Sequence, residues 1–192
     1  MDKILQKFTA ILCGTLDNQE QVDAERAAGK QLHPYAKHVT AVCDHKIINR
    51  PAGHEGIYIL EESYYIYPGK QMDIKPLLFY MRSDGESKAL LQSVQIPEHL
   101  DKAVVINAND DLVLDFNELS IRPFGVAEYK LFELPDGDVF LVNHIAHMGE
   151  GLTFQLTETL SKEGLRVMET VKKNGQLLTP YDTPIFYKPI NK

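Results

Sequence analysis

From Tyr35 onward the chain is a series of short runs rich in Val, Ile, Tyr and Phe, each ended by a cluster of Gly, Pro, Asn or Asp. Residues 39–48, 56–67, 77–82, 89–96 and 103–106 read as strands on this criterion. Two hairpin turns stand out: Pro135-Asp136-Gly137 between the runs 129–134 and 139–148, and Asn174-Gly175 between 165–171 and 176–178. No helical stretch of any length separates these runs, so the strands must follow one another as an antiparallel meander rather than as parallel strands with crossover helices. An open meander of about nine or ten strands would leave edges that invite aggregation, so closure into a barrel or folding as a sandwich is required. No linker, repeat or low-complexity tract interrupts the pattern. It predicts a single, mainly β domain over 1–192, with a helical segment over 1–30 packed against or plugging an antiparallel β-barrel over 35–190.

The helical segment has its own signal. Ile4, Leu5, Phe8, Ile11, Leu12 and Leu16 recur at spacings of three and four, which predicts one amphipathic helix over 2–16. Asp17 or Asn18 can accept from the first free backbone amides of a second helix over 19–28, Gln21 stands three residues after Asn18 as in a capping box, and Gly29 is a natural stop.

Composition removes several function classes. The 192 residues carry 20 Lys and Arg against 27 Asp and Glu, a net charge of −7, and no basic run is longer than Lys172-Lys173. Nucleic acid is therefore not an expected partner, because such binding rests on phosphate neutralisation. A chain of this size buries about 70% of its unfolded surface, so it needs no staples. Cys13 and Cys43 stand in unrelated contexts, without the spacing of a disulfide framework or a zinc site. His144 and His147, three apart on a strand, face opposite ways and cannot share an ion, so no metal is expected. No apolar run is long enough to span a membrane as a helix. Leu12 before Cys13 argues against a lipoprotein signal, and no Asn-x-Ser/Thr site occurs, so a cytoplasmic location is expected. Nucleotide-binding glycine loops and the Gly-x-Ser-x-Gly elbow are missing.

The sharpest local feature lies in the run 57–67. One face carries Ile57, Ile59, Glu61, Ser63, Tyr65 and Tyr67, and the other Tyr58, Leu60, Glu62, Tyr64 and Ile66. Whichever face is inward, a carboxylate stands among aromatic and aliphatic neighbours. That is costly unless the group is paired or used on a ligand. Two readings stay open: ligand binding, or pairing with Arg50, Arg82 or Arg122 to shape the core. The tyrosines between Tyr58 and Tyr80 line a pocket on the first reading and pack the barrel on the second. Further on, Leu152, Phe154, Leu156 and Leu160 alternate with polar residues, and Glu158 breaks the apolar parity without a partner that the sequence identifies.

The segments Gly14-Thr15-Leu16-Asp17-Asn18-Gln19-Glu20-Gln21, His33-Pro34-Tyr35-Ala36-Lys37-His38-Val39 and Ile57-Tyr58-Ile59-Leu60-Glu61-Glu62-Ser63-Tyr64, in this order, resemble the T-type phycobilin lyases, the CpcT/CpeT chromophore lyase family. In that family an Asn-x-x-Gln motif closes the first helix, a Pro and a Tyr-x-His-like segment lead into the first strand, and a Glu-Gln strand follows. The total length agrees as well. The resemblance implies a calycin-like antiparallel barrel that binds a linear tetrapyrrole, a phycobilin, as substrate ligand with no covalently bound cofactor. It also implies lyase activity: help in attaching the bilin through a thioether bond to a cysteine of a phycobiliprotein subunit. By residue it reaches Asn18, Gln21, Pro34, Tyr35, His38, Glu61 and Tyr64. Glu61 then hydrogen-bonds pyrrole nitrogens or supplies a proton, while His38, Tyr35, Tyr64, Asn18 and Gln21, with the adjoining Tyr65, are the expected ligand contacts.

The sequence departs from the family in three places. Pro76 is followed by Leu77, Leu78 and Phe79 where a Pro-Tyr-Arg strand is expected, no cysteine follows Cys43, and Thr183-Pro184-Ile185-Phe186-Tyr187 matches the closing Gly-Pro-Tyr-x-Phe only loosely. These departures keep an alternative in play, a non-catalytic calycin-type binding protein for a porphyrin, fatty acid or other small lipophilic ligand. A third reading is a barrel filled by its own side chains that serves as a protein interface. The expected partners are thus a small lipophilic ligand and an acceptor protein such as a phycobiliprotein subunit, and homodimer formation is left open.

Overall fold

Alternating runs of this kind satisfy their backbone groups only by pairing, and in the computed structural model, which describes residues 2–190, they pair into one continuous ladder. In chain order the elements are α1 (Lys3–Leu12), β1 (Gly14–Asp17), α2 (Gln19–Ala27), β2 (Tyr35–Val42), β3 (Ile47–Ile48), β4 (Ile57–Ile66), β5 (Asp73–Ser83), β6 (Lys88–Gln95), β7 (Leu114–Asp115), β8 (Ser120–Ile121), β9 (Ala127–Leu134), β10 (Gly137–His147), β11 (Leu152–Ser161), β12 (Gly164–Lys173), β13 (Gln176–Leu177) and β14 (Ile185–Pro189). The pairing order β11-β10-β9-β6-β5-β4-β2-β1-β14-β12 returns to its start because β11 also pairs with β12. The result is a closed, ten-stranded antiparallel barrel without free edges. The short strands β13 and β8 extend β12 and β6, and β3 pairs with β7 in a separate parallel bridge. Among the described residues no helix is long and apolar enough to cross a membrane.

Helix α1 is the plug. Asp2 Oδ1 caps it by accepting from the Ile4 N–H at 2.9 Å, and its apolar stripe of Ile4, Leu5, Phe8 and Leu12 is buried in the barrel core. Phe8 meets the rings of Tyr129 and Phe140 edge-on, at centroid distances of 5.0 and 4.9 Å. Each such side chain contributes roughly 1.5–3 kcal/mol through burial, which holds a ten-residue helix that would be marginal alone. Register fixes the plugged end: Ile57 pairs with Met81 beside α1, and Tyr65 pairs with Asp73 toward the opposite end.

Three expectations are corrected here. The first helix stops at Leu12, not at residue 16; Gly14, at φ +137°, turns the chain into β1, where Leu16 pairs with His38 and reaches the core as a strand residue. A spacing of four fits both periods, so the pattern alone could not tell helix from strand. Residues 103–106 form no strand: the segment 97–119 lies over the outside of β4, β5 and β6, where Val105, Leu112 and Leu114 pack on Tyr58, Leu60 and Leu78. That second core explains why β4 is buried on both faces.

The third correction is the Asn18/Gln21 capping box, since of the two candidate acceptors at the start of α2 it is Asp17 that takes a free backbone amide. Asn18 occupies the N-cap of α2 but makes no capping bond. Its amide donates to the Pro34 carbonyl at 2.9 Å and its Oδ1 accepts from the Ala36 N–H at 2.7 Å, while Asp17 Oδ1 accepts from the Gln19 N–H at 3.2 Å. Gln21 points away from the cap, donating to the Pro184 carbonyl at 3.0 Å and accepting from the Phe186 N–H at 2.9 Å. Both side chains satisfy backbone groups of the segments that α2 packs against, which outweighs a helix-end bond that water can replace.

Candidate functional site

The ten strands enclose a lumen of about 460 Å³, within the usual range of small-molecule sites. Phe8 and Leu12 of α1 form its closed end. At the other end it is lined by Tyr67, Lys75, Arg122, Phe124, Gly125 and Tyr181. Lys75 and Gly125 are solvent-exposed, so the lumen meets solvent there.

Midway, carboxyl groups line the wall. Glu61 on β4 accepts from Ser63 Oγ at 2.8 Å, and its Oε1 lies 3.4 Å from His38 Nδ1 on β2. That separation is an ion-pair distance without hydrogen-bond geometry, and neither ring nitrogen of the buried His38 has a hydrogen-bond partner among the described residues. Glu158 on β11 accepts from the Tyr129 hydroxyl of β9. Glu169 on β12 stands diagonal to it, since Glu158 pairs with Val167 and Leu156 with Glu169.

Glu158 is half-buried and Glu169 exposed by surface area, but both line the lumen, whose enclosing wall desolvates them. Burial pushes the Glu158 carboxyl up to about 8; the Tyr129 hydrogen bond opposes this, and the charges of Glu169 and Glu61 add to it. Burial likewise raises Glu169 to about 7, with Glu61 reinforcing the shift and Lys75 opposing it. Burial also raises Tyr65, Tyr129 and Tyr187, so these hydroxyls remain donors throughout the neutral range.

Of the residues the sequence pointed to, the structure brings Glu61, His38 and Tyr65 together on the lumen wall. It does not bring the others there. Tyr35 lies off the lumen, its hydroxyl donating to Asp17 Oδ2 at 3.2 Å; Tyr64 lies off it too, bonded to Glu62 and with Lys37 Nζ 4.7 Å from its ring centroid. These two alternate with the inward positions, so strand parity removes them from the cavity. Asn18 and Gln21 serve the backbone, as described above, and line no part of the lumen.

Glu61 and Glu62 do face opposite ways. Glu62 is buried under the outer segment, where it accepts from the Asn107 N–H at 2.7 Å. Among the described residues the inward glutamate has no arginine partner: Arg50 pairs with Asp44 at 3.0 Å on the outside, Arg82 is exposed, and Arg122 stands at the solvent end over the Phe124 ring, 5.4 Å from its centroid. His144 faces the lumen, with Nε2 2.5 Å from the Phe124 carbonyl oxygen, and His147 is exposed.

Sequence reasoning missed Glu169, Arg122, Tyr129 and Tyr187 as lumen residues. For Glu169 the signal was present, because Leu165, Val167, Glu169 and Val171 alternate in the same way as Leu156, Glu158 and Leu160. Arg122 lies in an irregular segment, where no period assigns a side. Among the described residues no group of three or more His, Cys, Asp or Glu is placed to hold a metal ion. No protein-family model matches this chain, and no curated protein matches it.

Proposed function

We propose that the protein binds a linear tetrapyrrole in the barrel lumen and assists its thioether attachment to the cysteine of an acceptor protein, as the resemblance to the T-type lyases implies. The observation that supports this reading is the order of polarity along the lumen: an apolar end at Phe8 and Leu12, a middle layer of Glu61, Glu158 and Glu169, and a cationic outer end at Lys75 and Arg122. Pyrrole N–H groups would meet the carboxyl layer, and propionates would meet the cations. The attacking thiol must be the acceptor's. Neither Cys13 nor Cys43 lines the lumen, and Cys43 is buried with its thiol pushed up to about 12 by desolvation. The contribution to rate is then positional: the thiolate adds to a vinyl or ethylidene carbon, the new C–S bond forms, and Glu61 or a neighbouring carboxyl delivers the proton to the adjacent carbon.

A non-catalytic carrier of a porphyrin, fatty acid or other lipophile is the second reading. It is favoured by Leu77 and Phe79, which put apolar wall where the family carries its arginine strand. Adding biliverdin or phycocyanobilin to the purified protein and recording the visible spectrum separates the two. A saturable shift that weakens in Glu61→Gln supports the first. An unchanged spectrum at micromolar protein, with a fluorescent fatty acid bound, supports the second.

A further inference from the structure

The middle layer of the lumen holds more carboxyl groups than side-chain hydroxyls bonded to them. Three carboxyl groups, Glu61, Glu158 and Glu169, face one enclosed space, and the protein supplies one hydroxyl donor to Glu61 from Ser63 and one to Glu158 from Tyr129. Glu169 feels Glu61 and Lys75 only as charges. His38, 7% exposed and facing the same space, has both ring nitrogens without a hydrogen-bond partner among the described residues. A buried ring with neither nitrogen partnered, such as that of His38, is rare in folded proteins and calls for a partner.

We propose that this layer is a recognition site for a cationic nitrogen, so that amphipathic organic amines form the ligand class the lumen selects. An ammonium brings three donors and no acceptor, which is the complement of Glu61 and Glu169 and of the unprotonated ring nitrogen of a neutral His38. Tyr65 and Tyr187 stand beside His38, with ring centroids 6.2 and 4.3 Å from its own, and the Lys75 ammonium, 5.2 Å from the Tyr65 centroid, shows that this aromatic wall accepts a cation. An anionic head at this depth meets three carboxyl groups against the charge of Lys75, which reaches Glu169, while Arg122 stands at the solvent end. The charge is distributed around the wall and no metal cluster is formed among the described residues, so the site suits an extended organic group. The elevated carboxyl pKa values of Glu158 and Glu169 agree with a layer that gains from an incoming positive charge. This inference rests on the lumen being a ligand site, and it narrows the chemistry to a donor nitrogen without requiring that the ligand be a bilin.

The test is isothermal titration calorimetry of the full chain with octylamine, 1-octanol and octanoate, which share a tail and differ in the head group. Octylamine should bind at least about tenfold tighter than octanol, and octanoate more weakly than either. In Glu158→Gln with Glu169→Gln the amine preference should disappear while octanol binding persists, which separates the lumen from general attraction to an acidic protein. Octanoate binding as tightly as octylamine, an amine preference that survives both substitutions, or no binding of any of the three would overturn the proposal. The wild-type order decides by itself if the double variant does not fold. Biliverdin titrated in parallel keeps the two ideas apart. A bilin spectral shift without amine preference removes this inference alone, and amine preference without a bilin shift removes only the tetrapyrrole reading.

Discussion

Replacing Glu158 by Gln isolates the energetic cost of the carboxyl layer. In the folded protein this carboxyl sits at about 8, against 4.5 for the free side chain. The folded state therefore holds the proton more tightly than the unfolded state. The stability linked to that proton is fully present below about 4.5 and is lost as pH rises through about 8. Every tenfold difference in proton affinity between the two states is worth about 1.4 kcal/mol, and solvent reaching the lumen screens part of it, which leaves a loss of about 2–4 kcal/mol between mildly acidic and alkaline solution. Gln cannot ionise, and its amide oxygen still accepts from the Tyr129 hydroxyl. Urea denaturation of both proteins at about pH 4 and about pH 9 reads the difference, and Glu169 titrates in both and largely cancels. The expected result is equal stability within about 0.5 kcal/mol at the lower pH and a variant more stable by about 2 kcal/mol or more at the higher. Parallel pH dependence in the two proteins would refute the reasoning, and so would a loss in the variant that is the same at both pH values.

Three further outcomes follow from the packing. Asn18→Asp keeps an acceptor for the Ala36 N–H but leaves the buried Pro34 carbonyl without its donor, so it should cost about 1–3 kcal/mol in chemical denaturation, whereas a helix-capping role predicts no loss. Phe8→Ala removes the ring that closes the lumen against Tyr129 and Phe140, and should cost about 3–5 kcal/mol, read as a lowered urea midpoint with an unchanged far-ultraviolet spectrum for the barrel. Cys43, buried and with its thiol pushed up to about 12, should resist thiol reagents at about pH 8 until the protein unfolds; rapid labelling of the native chain at Cys43 would contradict its position in the outer core.

The barrel was legible because hairpin chemistry and period-two alternation are local, and the turns at Pro135-Asp136-Gly137 and Asn174-Gly175 lie between paired strands as expected. The long-range features were less so. Leu16 fits a helix and a strand equally well, and only Gly14 decides between them. The run 103–106 has strand composition because it covers a sheet, and burial rather than pairing selected its apolar residues. In the site, parity alone placed Glu61 and Tyr65 on one face and Tyr64 on the other, but it could not say which face was inward until the outer segment was seen to bury the second. Glu158 stood out as an exception to an apolar face. Its meaning lay in Glu169 and Glu61 on other strands, a relation that barrel closure creates.

The most direct test of the central claim, that the lumen of this barrel is a ligand site, is a visible-absorbance titration of phycocyanobilin into three proteins: the wild type, Leu77→Trp and Tyr64→Ala. Leu77 lines the lumen, so tryptophan there fills it, and Tyr64 lies on the outer face of the same hairpin. The account predicts a spectral shift that saturates at a single equivalent in the wild type, persists in Tyr64→Ala and is lost in Leu77→Trp. An unshifted wild-type spectrum, or a shift that Leu77→Trp leaves intact, would contradict it.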